Sequence, residues 1–166
     1  MNAARDIERA IRDILAAKTS LPVGARVVAW QSPSETDGFD QPDAPVWSSN
    51  LDRFFPCITV CATPPAASDE RAQHAMSCDI AILAATKVAD DRDRGTLRTL
   101  YEIAEDFATA LVFREKPDYT TFEHALSRYD PTILLGGVVR GSPQPPAEDA
   151  GIYTLGAAIQ IKFYKP

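Results

Sequence analysis

Toward its C-terminus the chain runs Ile152 to Tyr164 (IYTLGAAIQIKFY), with Tyr153, Leu155, Ala157, Ile159, Ile161 and Phe163 at alternate positions and Thr154, Gln160, Lys162 and Tyr164 among the others. Side chains of an extended strand leave opposite faces in turn, so this pattern predicts a long strand with one buried face. Such a face must be covered by a second layer, and the backbone must pair with other strands. The rest of the chain has to supply both.

Two further runs read as strands that pair with each other. In Phe54 to Ala62 (FFPCITVCA), Phe55, Cys57, Thr59 and Cys61 alternate with Ile58 and Val60; in Met76 to Ala84, Met76, Cys78, Ile80 and Ile82 share a face. Pro56 has no N–H to donate, so it belongs at the beginning of its strand or on an open edge. The connection from 63 to 74 is too long for a tight hairpin and is expected to project. Ala25 to Trp30 and Thr132 to Arg140 complete the strand set.

The covering layer is helical. Ile7, Ala10, Ile11, Ile14 and Leu15 recur at helical spacing within residues 3 to 17, with Arg5, Asp6, Glu8, Arg9, Arg12 and Asp13 on the opposite face and Asn2 as N-cap. Thr96 to Phe113 carries a stripe from Leu97 through Leu100, Tyr101, Ala104, Phe107 and Ala108 to Leu111 and spans about 27 Å, enough to cross a sheet. A shorter helix, Thr121 to Tyr129, buries Phe122, Ala125 and Leu126. Strands followed by helices and more strands predict one α+β domain over residues 1 to 166, its sheet mainly antiparallel and its helices on one face.

Three polar connections, 31–53, 63–74 and 141–150, are expected to be long projecting loops. The first has Pro33, Pro42, Pro45, Phe39 and Trp47, an aperiodic stretch that suits a surface docking on another molecule. Trp30 and Trp47 flank it, each equally suited to an interface and to a core anchor. The formal charge is −6, and the acids gather in these connections: five against Arg53 in 31–53, Asp69 and Glu70 against Arg71 in 63–74, and Glu148 and Asp149 in 141–150. Nucleic-acid affinity rests on basic side chains, so the balance argues against DNA or RNA binding and points the loops toward protein surfaces.

Signs of enzymatic chemistry are few. Gly136-Gly137 is not followed by a helix, and the chain has no P-loop, no G-x-G-x-x-G and no G-x-S-x-G. Cys57 and Cys61 on one strand lie about 13 Å apart, too far to share a zinc; with Cys78, which could oppose either across the sheet, they read as buried reduced thiols. His74 and His124 have no partner at ligand spacing. Asp90, Asp91 and Asp93 read as charges at a helix start rather than a cation loop. No cofactor and no metal is expected. No apolar run is long enough to span a membrane, and the charged N-terminus is unlike a signal peptide, which predicts a cytosol-like compartment.

Taken together, the amphipathic first helix, the strand FPCITV (Phe55 to Val60), the strand CDIAILA (Cys78 to Ala84), the helix after an Asp-rich turn, and the terminal GIYTLGAAIQIKFY (Gly151 to Tyr164) resemble a tail terminator of a tailed bacteriophage. The resemblance lies in the order of elements over most of the chain, while the 31–53 loop has no counterpart in it. It implies a structural, non-enzymatic virion protein: a ring, hexameric in that family, that caps the tail tube, ends its polymerisation and presents a surface for head–tail joining. It implies as partners further copies of the chain, the tail tube protein, a neck or connector protein, and genomic DNA passing through the lumen without specific binding. The place implied is the head-proximal end of the virion tail, reached by assembly in the host cytoplasm. The residues expected at assembly interfaces are Phe39, Asp40, Asp43, Trp47, Asp69, Glu70, Glu148 and Asp149. Two other readings stay open: a head–tail connector or neck ring protein, and a small ligand-binding or enzymatic domain with a pocket between sheet and helix, for which Thr59, Ser77 and Asp79 are the available polar groups.

Overall fold

The computed structural model describes residues 3–30, 55–67, 75–88, 91–142, 144–149 and 151–166. In chain order the elements are α1 (Ala3–Ala16), β1 (Arg26–Ala29), β2 (Cys57–Ala62), β3 (Ala66–Ala67), β4 (Ala75–Lys87), α2 (Asp91–Val112), α3 (Asp118–Tyr129), β5 (Leu134–Arg140), β6 (Gln144–Asp149) and β7 (Ile152–Tyr164). The strands form one seven-stranded sheet ordered β1-β2-β4-β7-β5, with β3 also on β4 and β6 also on β7. β1 and β2 are parallel and the other pairings antiparallel, so the fold is the mixed α+β class that the strand and helix periods predict.

β7 and β4 pair along their whole length, from Ala75 opposite Tyr164 to Lys87 opposite Ile152. One face of this ladder holds Cys78, Ile80, Ile82 and Ala84 beside Ala157, Ile159, Ile161 and Phe163, all buried. Ile58 and Val60 of β2 extend that face, and Ile7, Ile11 and Leu15 of α1, Leu100, Phe107 and Leu111 of α2, and Phe122 and Leu126 of α3 close over it in a single core. Each of these large side chains contributes about 1.5–3 kcal/mol by leaving water. The helices lie on one face of the sheet because the other face carries Asp79, Gln160 and Lys162 at the intervening positions. That second face is not uniform: Val28, Cys57, Thr59 and Ala85 are buried at its β1–β2 side, whereas Asp79, Val139, Lys162 and Tyr164 are exposed toward β5.

The sequence expectations need four corrections. Residues 144–149 are a strand, not loop. The 63–74 connection contains the short β3, whose Ala66 and Ala67 pair with Ser77 and Met76. α2 begins at Asp91 rather than Thr96, so Asp91 and Asp93 lie in its first turn, where their charge favours the positive helix end. The fourth correction concerns the charged side of α1, where Asp6, Glu8 and Arg12 are buried. Expected to face water, that side is covered by β2, α3 and the C-terminal segment: a Glu8 carboxylate oxygen accepts from the Ala62 N–H at 2.7 Å, and Arg12 donates to the Tyr129 hydroxyl at 3.1 Å. Asn2 falls outside the described residues.

The same layer encloses Asp130, which is fully buried. Its Oδ1 accepts from the Thr132 N–H at 3.0 Å and hydroxyl at 2.5 Å, and Lys165 Nζ lies 2.7 Å from Oδ2. Burial works to raise the Asp130 carboxyl, but the hydrogen bonds from Lys165 and Thr132 outweigh it and hold it below the usual carboxylate range. Asp6 is shifted the other way: burial raises it, Arg9 opposes, and the Asp130 charge adds to the rise. The Asp130 contribution to stability is therefore present above the unfolded carboxylate value of about 3.9 and is lost as pH falls through the lower folded value, while that of Asp6 fades as pH rises through its raised folded value. Asp130→Asn should cost about 1–3 kcal/mol at neutral pH, the usual range for a disrupted buried hydrogen bond. It should also flatten the loss of stability below about pH 4. Urea midpoints measured across this range test it, and parallel wild-type and variant curves would refute it.

Candidate functional site

Of the residues expected at interfaces, Phe39, Asp40, Asp43, Trp47, Asp69 and Glu70 lie outside the described residues. Glu148 and Asp149 are described, and both are exposed on β6. Their setting differs from the expected loop. Gly151 turns the chain with φ +81, a left-handed value that favours glycine, and a Glu148 carboxylate oxygen accepts from the Gly151 N–H at 2.9 Å. The turn sets Ala147, Glu148 and Asp149 opposite Thr154, Tyr153 and Ile152. Pro145 and Pro146 coincide with the register irregularity between Gln144 and Ala147, where the missing N–H groups blunt further pairing. The result is a proline-shielded acidic hairpin built onto one end of β7.

The opposite end of β7 has another character. Leu134 of β5 sits across from Tyr164, and both are exposed, at 63% and 47%, as is Phe113 at 70%. Phe113 and Arg114 stand where α2 stops. Arg114 N–H donates to Leu111 O at 3.3 Å and Glu115 N–H to Ala110 O at 2.7 Å, the paired bonds of a Schellman end. Glycine usually fills the left-handed position there, but here Arg114 does, with φ 54. Its guanidinium reaches the Gly136 carbonyl oxygen at 3.3 Å and lies 5.8 Å from the centre of the Tyr119 ring. Lys162, opposite Gly137, is exposed on the helix-free face of the same edge. Sequence periodicity did not single out this end, because its apolar members come from three elements; the signal available was Arg114 immediately after a helix stripe, a place where glycine is the norm.

A shallow cavity of about 290 Å³ lies on the helix-free face. Cys61, Ala81 and Ala158 are cross-strand neighbours and form its floor. Asp79 walls one side, its carboxylate accepting from Gln160 Nε2 at 3.2 Å. A pocket between sheet and helix was the expectation for a ligand-binding domain; that interface is instead filled by the core, Thr59 is buried, and of the three polar groups considered only Asp79 reaches this cavity. Among the described residues no cluster of three His, Cys, Asp or Glu side chains is arranged to hold a metal, and His124 is exposed on α3. Trp30, half-buried, closes β1 by donating its N–H to Val60 O at 2.9 Å.

None of the three cysteines is in a disulfide. Cys78 faces the helices while Cys57 and Cys61 face the other way, which removes the cross-strand pairing left open by the sequence. Burial, with the Asp79 and Glu8 charges adding, pushes the Cys78 thiol up to about 12, and its Sγ donates to Thr63 O at 3.0 Å. At pH 8 Cys78 is therefore held as the thiol, while the thiolate is the form that reacts. Iodoacetamide should leave Cys57 and Cys78 unmodified in the folded protein and alkylate the half-buried Cys61 slowly, since burial and Glu8 raise its thiol as well. Peptide mapping by mass spectrometry reads the order, and early modification of Cys78 would contradict it. No protein-family model matches the chain, and no curated protein matches it significantly.

Proposed function

We propose that this protein is a non-enzymatic ring subunit of the tail-terminator kind, which caps a tail tube, stops its growth and offers the surface to which a head joins. The observation that carries the reading is the pair of unlike ends on one strand. β7 runs unbroken from an acidic hairpin to an apolar and basic corner, and the helices, on one face of the sheet, leave both ends exposed. A closed ring with two different faces requires heterologous contacts, in which a subunit meets its neighbour through two dissimilar patches. The order of elements, which resembles that of tail terminators, suggests the kind of ring, and the acidity of the connections suits a lumen that DNA passes without adhering.

Sedimentation velocity and negative-stain imaging of the purified chain should show closed rings, and addition of polymerising tail tubes should yield tubes of arrested length with a ring at one end. Rings that ignore tubes but bind connector particles would transfer the protein to the neck of the same machine. A particle that stays monomeric at all accessible concentrations would overturn the reading.

A further inference from the structure

Resting on the ring reading, we propose that the subunit contact is formed by the acidic β6–β7 hairpin of one copy seated on the Phe113–Arg114 corner of the next. The occupant follows from charge and shape. Glu148 and Asp149 are exposed at the hairpin, and the Asp149 carboxylate has no hydrogen-bond or ion-pair partner among the described residues. At the far end of the same strand, Lys162 and, from the end of α2, Arg114 present two cations, and the Lys162 ammonium has no hydrogen-bond or ion-pair partner among the described residues. Of the acids in neighbouring elements, Asp130 is held by Lys165 and Asp118 by Lys18, and Glu115 and Lys116 cancel in formal charge.

The same elements that carry the two cations also carry Phe113 and Tyr164, and β5 adds Leu134 opposite Tyr164, exposed large apolar side chains of the kind a docking surface covers. Leu134 and Tyr164 are cross-strand partners, the Arg114 guanidinium bonds the Gly136 carbonyl, and a Cβ built on Gly136 would touch the Tyr164 ring at 3.3 Å, so the helix end meets this sheet edge at Gly136. The two patches lie about 40 Å apart along β7, at 3.3 Å per residue, so one copy cannot join its own ends. Two copies can, and the contact is heterologous. Such a contact propagates, closing into a ring where the rotation between copies permits and running into a filament where it does not. The prolines of β6 fit this role by keeping the hairpin from pairing edge to edge with other sheets.

Charge exchange tests the contact. The double variant E148K/D149K and, separately, R114E/K162E should each weaken self-association at least about tenfold, and low salt should no longer favour it, because facing charges now repel. Mixing the two variants should restore assembly, since each then meets an opposite charge, and so should combining all four changes in one chain. Arg114→Gly is a second probe: it relieves the left-handed residue, keeps the thermal midpoint at or above that of the wild type, and weakens association. Circular dichroism confirms folding of each variant. Variants that assemble like the wild type, or weakened variants that mixing does not rescue, overturn this contact and leave the ring reading intact. Wild-type filaments whose growth the variants block support the contact and overturn the closed ring. A wild type that does not associate overturns both.

Discussion

Gly156→Ala should destabilise the protein by about 3 kcal/mol, at the upper end of the usual cost of overpacking. A Cβ at Gly156 would lie 2.5 Å from Leu83 Cδ2, 2.6 Å from the Ile82 carbonyl oxygen and 3.0 Å from Leu83 Cα. The first contact is with the end of a side chain and can yield. The other two are with the backbone of β4, whose residue Leu83 pairs directly with Gly156, so relief requires the two central strands to part. For a chain of this size the expected fall in thermal midpoint is roughly 6–12 °C. Adding Leu83→Ala should recover only part of it, because the carbonyl contact remains. Gly95→Ala is the control: it lies within α2 with nothing inside 4 Å of a new Cβ, and there the same chemical change should stabilise by up to about 1 kcal/mol through helix propensity. Equal midpoints for Gly156→Ala and the wild type would mean that β4 and β7 are not so close.

Phe107→Ala should be the most damaging single truncation of the core, with an expected loss of about 3–5 kcal/mol. Phe107 is fully buried in the C-terminal half of α2, within the core that the sheet and all three helices share. Set against a total stability of about 5–15 kcal/mol, this is enough to leave a substantial unfolded fraction. Phe113→Ala, six residues on, removes the same atoms from an exposed position and should change stability by less than about 0.5 kcal/mol. Urea unfolding of the pair separates these outcomes. A large cost at Phe113 would show that its ring is packed rather than presented.

The two phenylalanines also indicate where the sequence could be read. Period 3.6 placed Phe107 in the core and period 2 placed Ile159 and Ile161 there, because a residue buried by its own element repeats with that element. The charged flank of α1 departs from its local pattern for the converse reason. Asp6, Glu8 and Arg12 are buried by what packs on them, namely the end of β2, α3 and Lys165, and no local pattern encodes a partner more than fifty residues away. Likewise Pro145-Pro146 reads as a breaker, yet residues 144–149 pair with β7 since Gly151 and Glu148 close a turn that brings them alongside. Glu148 and Asp149 could be selected from their charge alone. The corner made by Phe113, Arg114, Leu134, Lys162 and Tyr164 could not, as it exists only after three separate elements meet.

The unbroken β7 has a further consequence. An extended chain is already near its maximum length, so a strand cannot be stretched, and pairing with β4 along its whole length prevents it from buckling. The separation between hairpin and corner therefore behaves as a fixed gauge. Any assembly that uses both ends inherits its diameter from a residue count, and a one-residue insertion in β7 would change that gauge by about 3.3 Å while turning every later side chain to the opposite face.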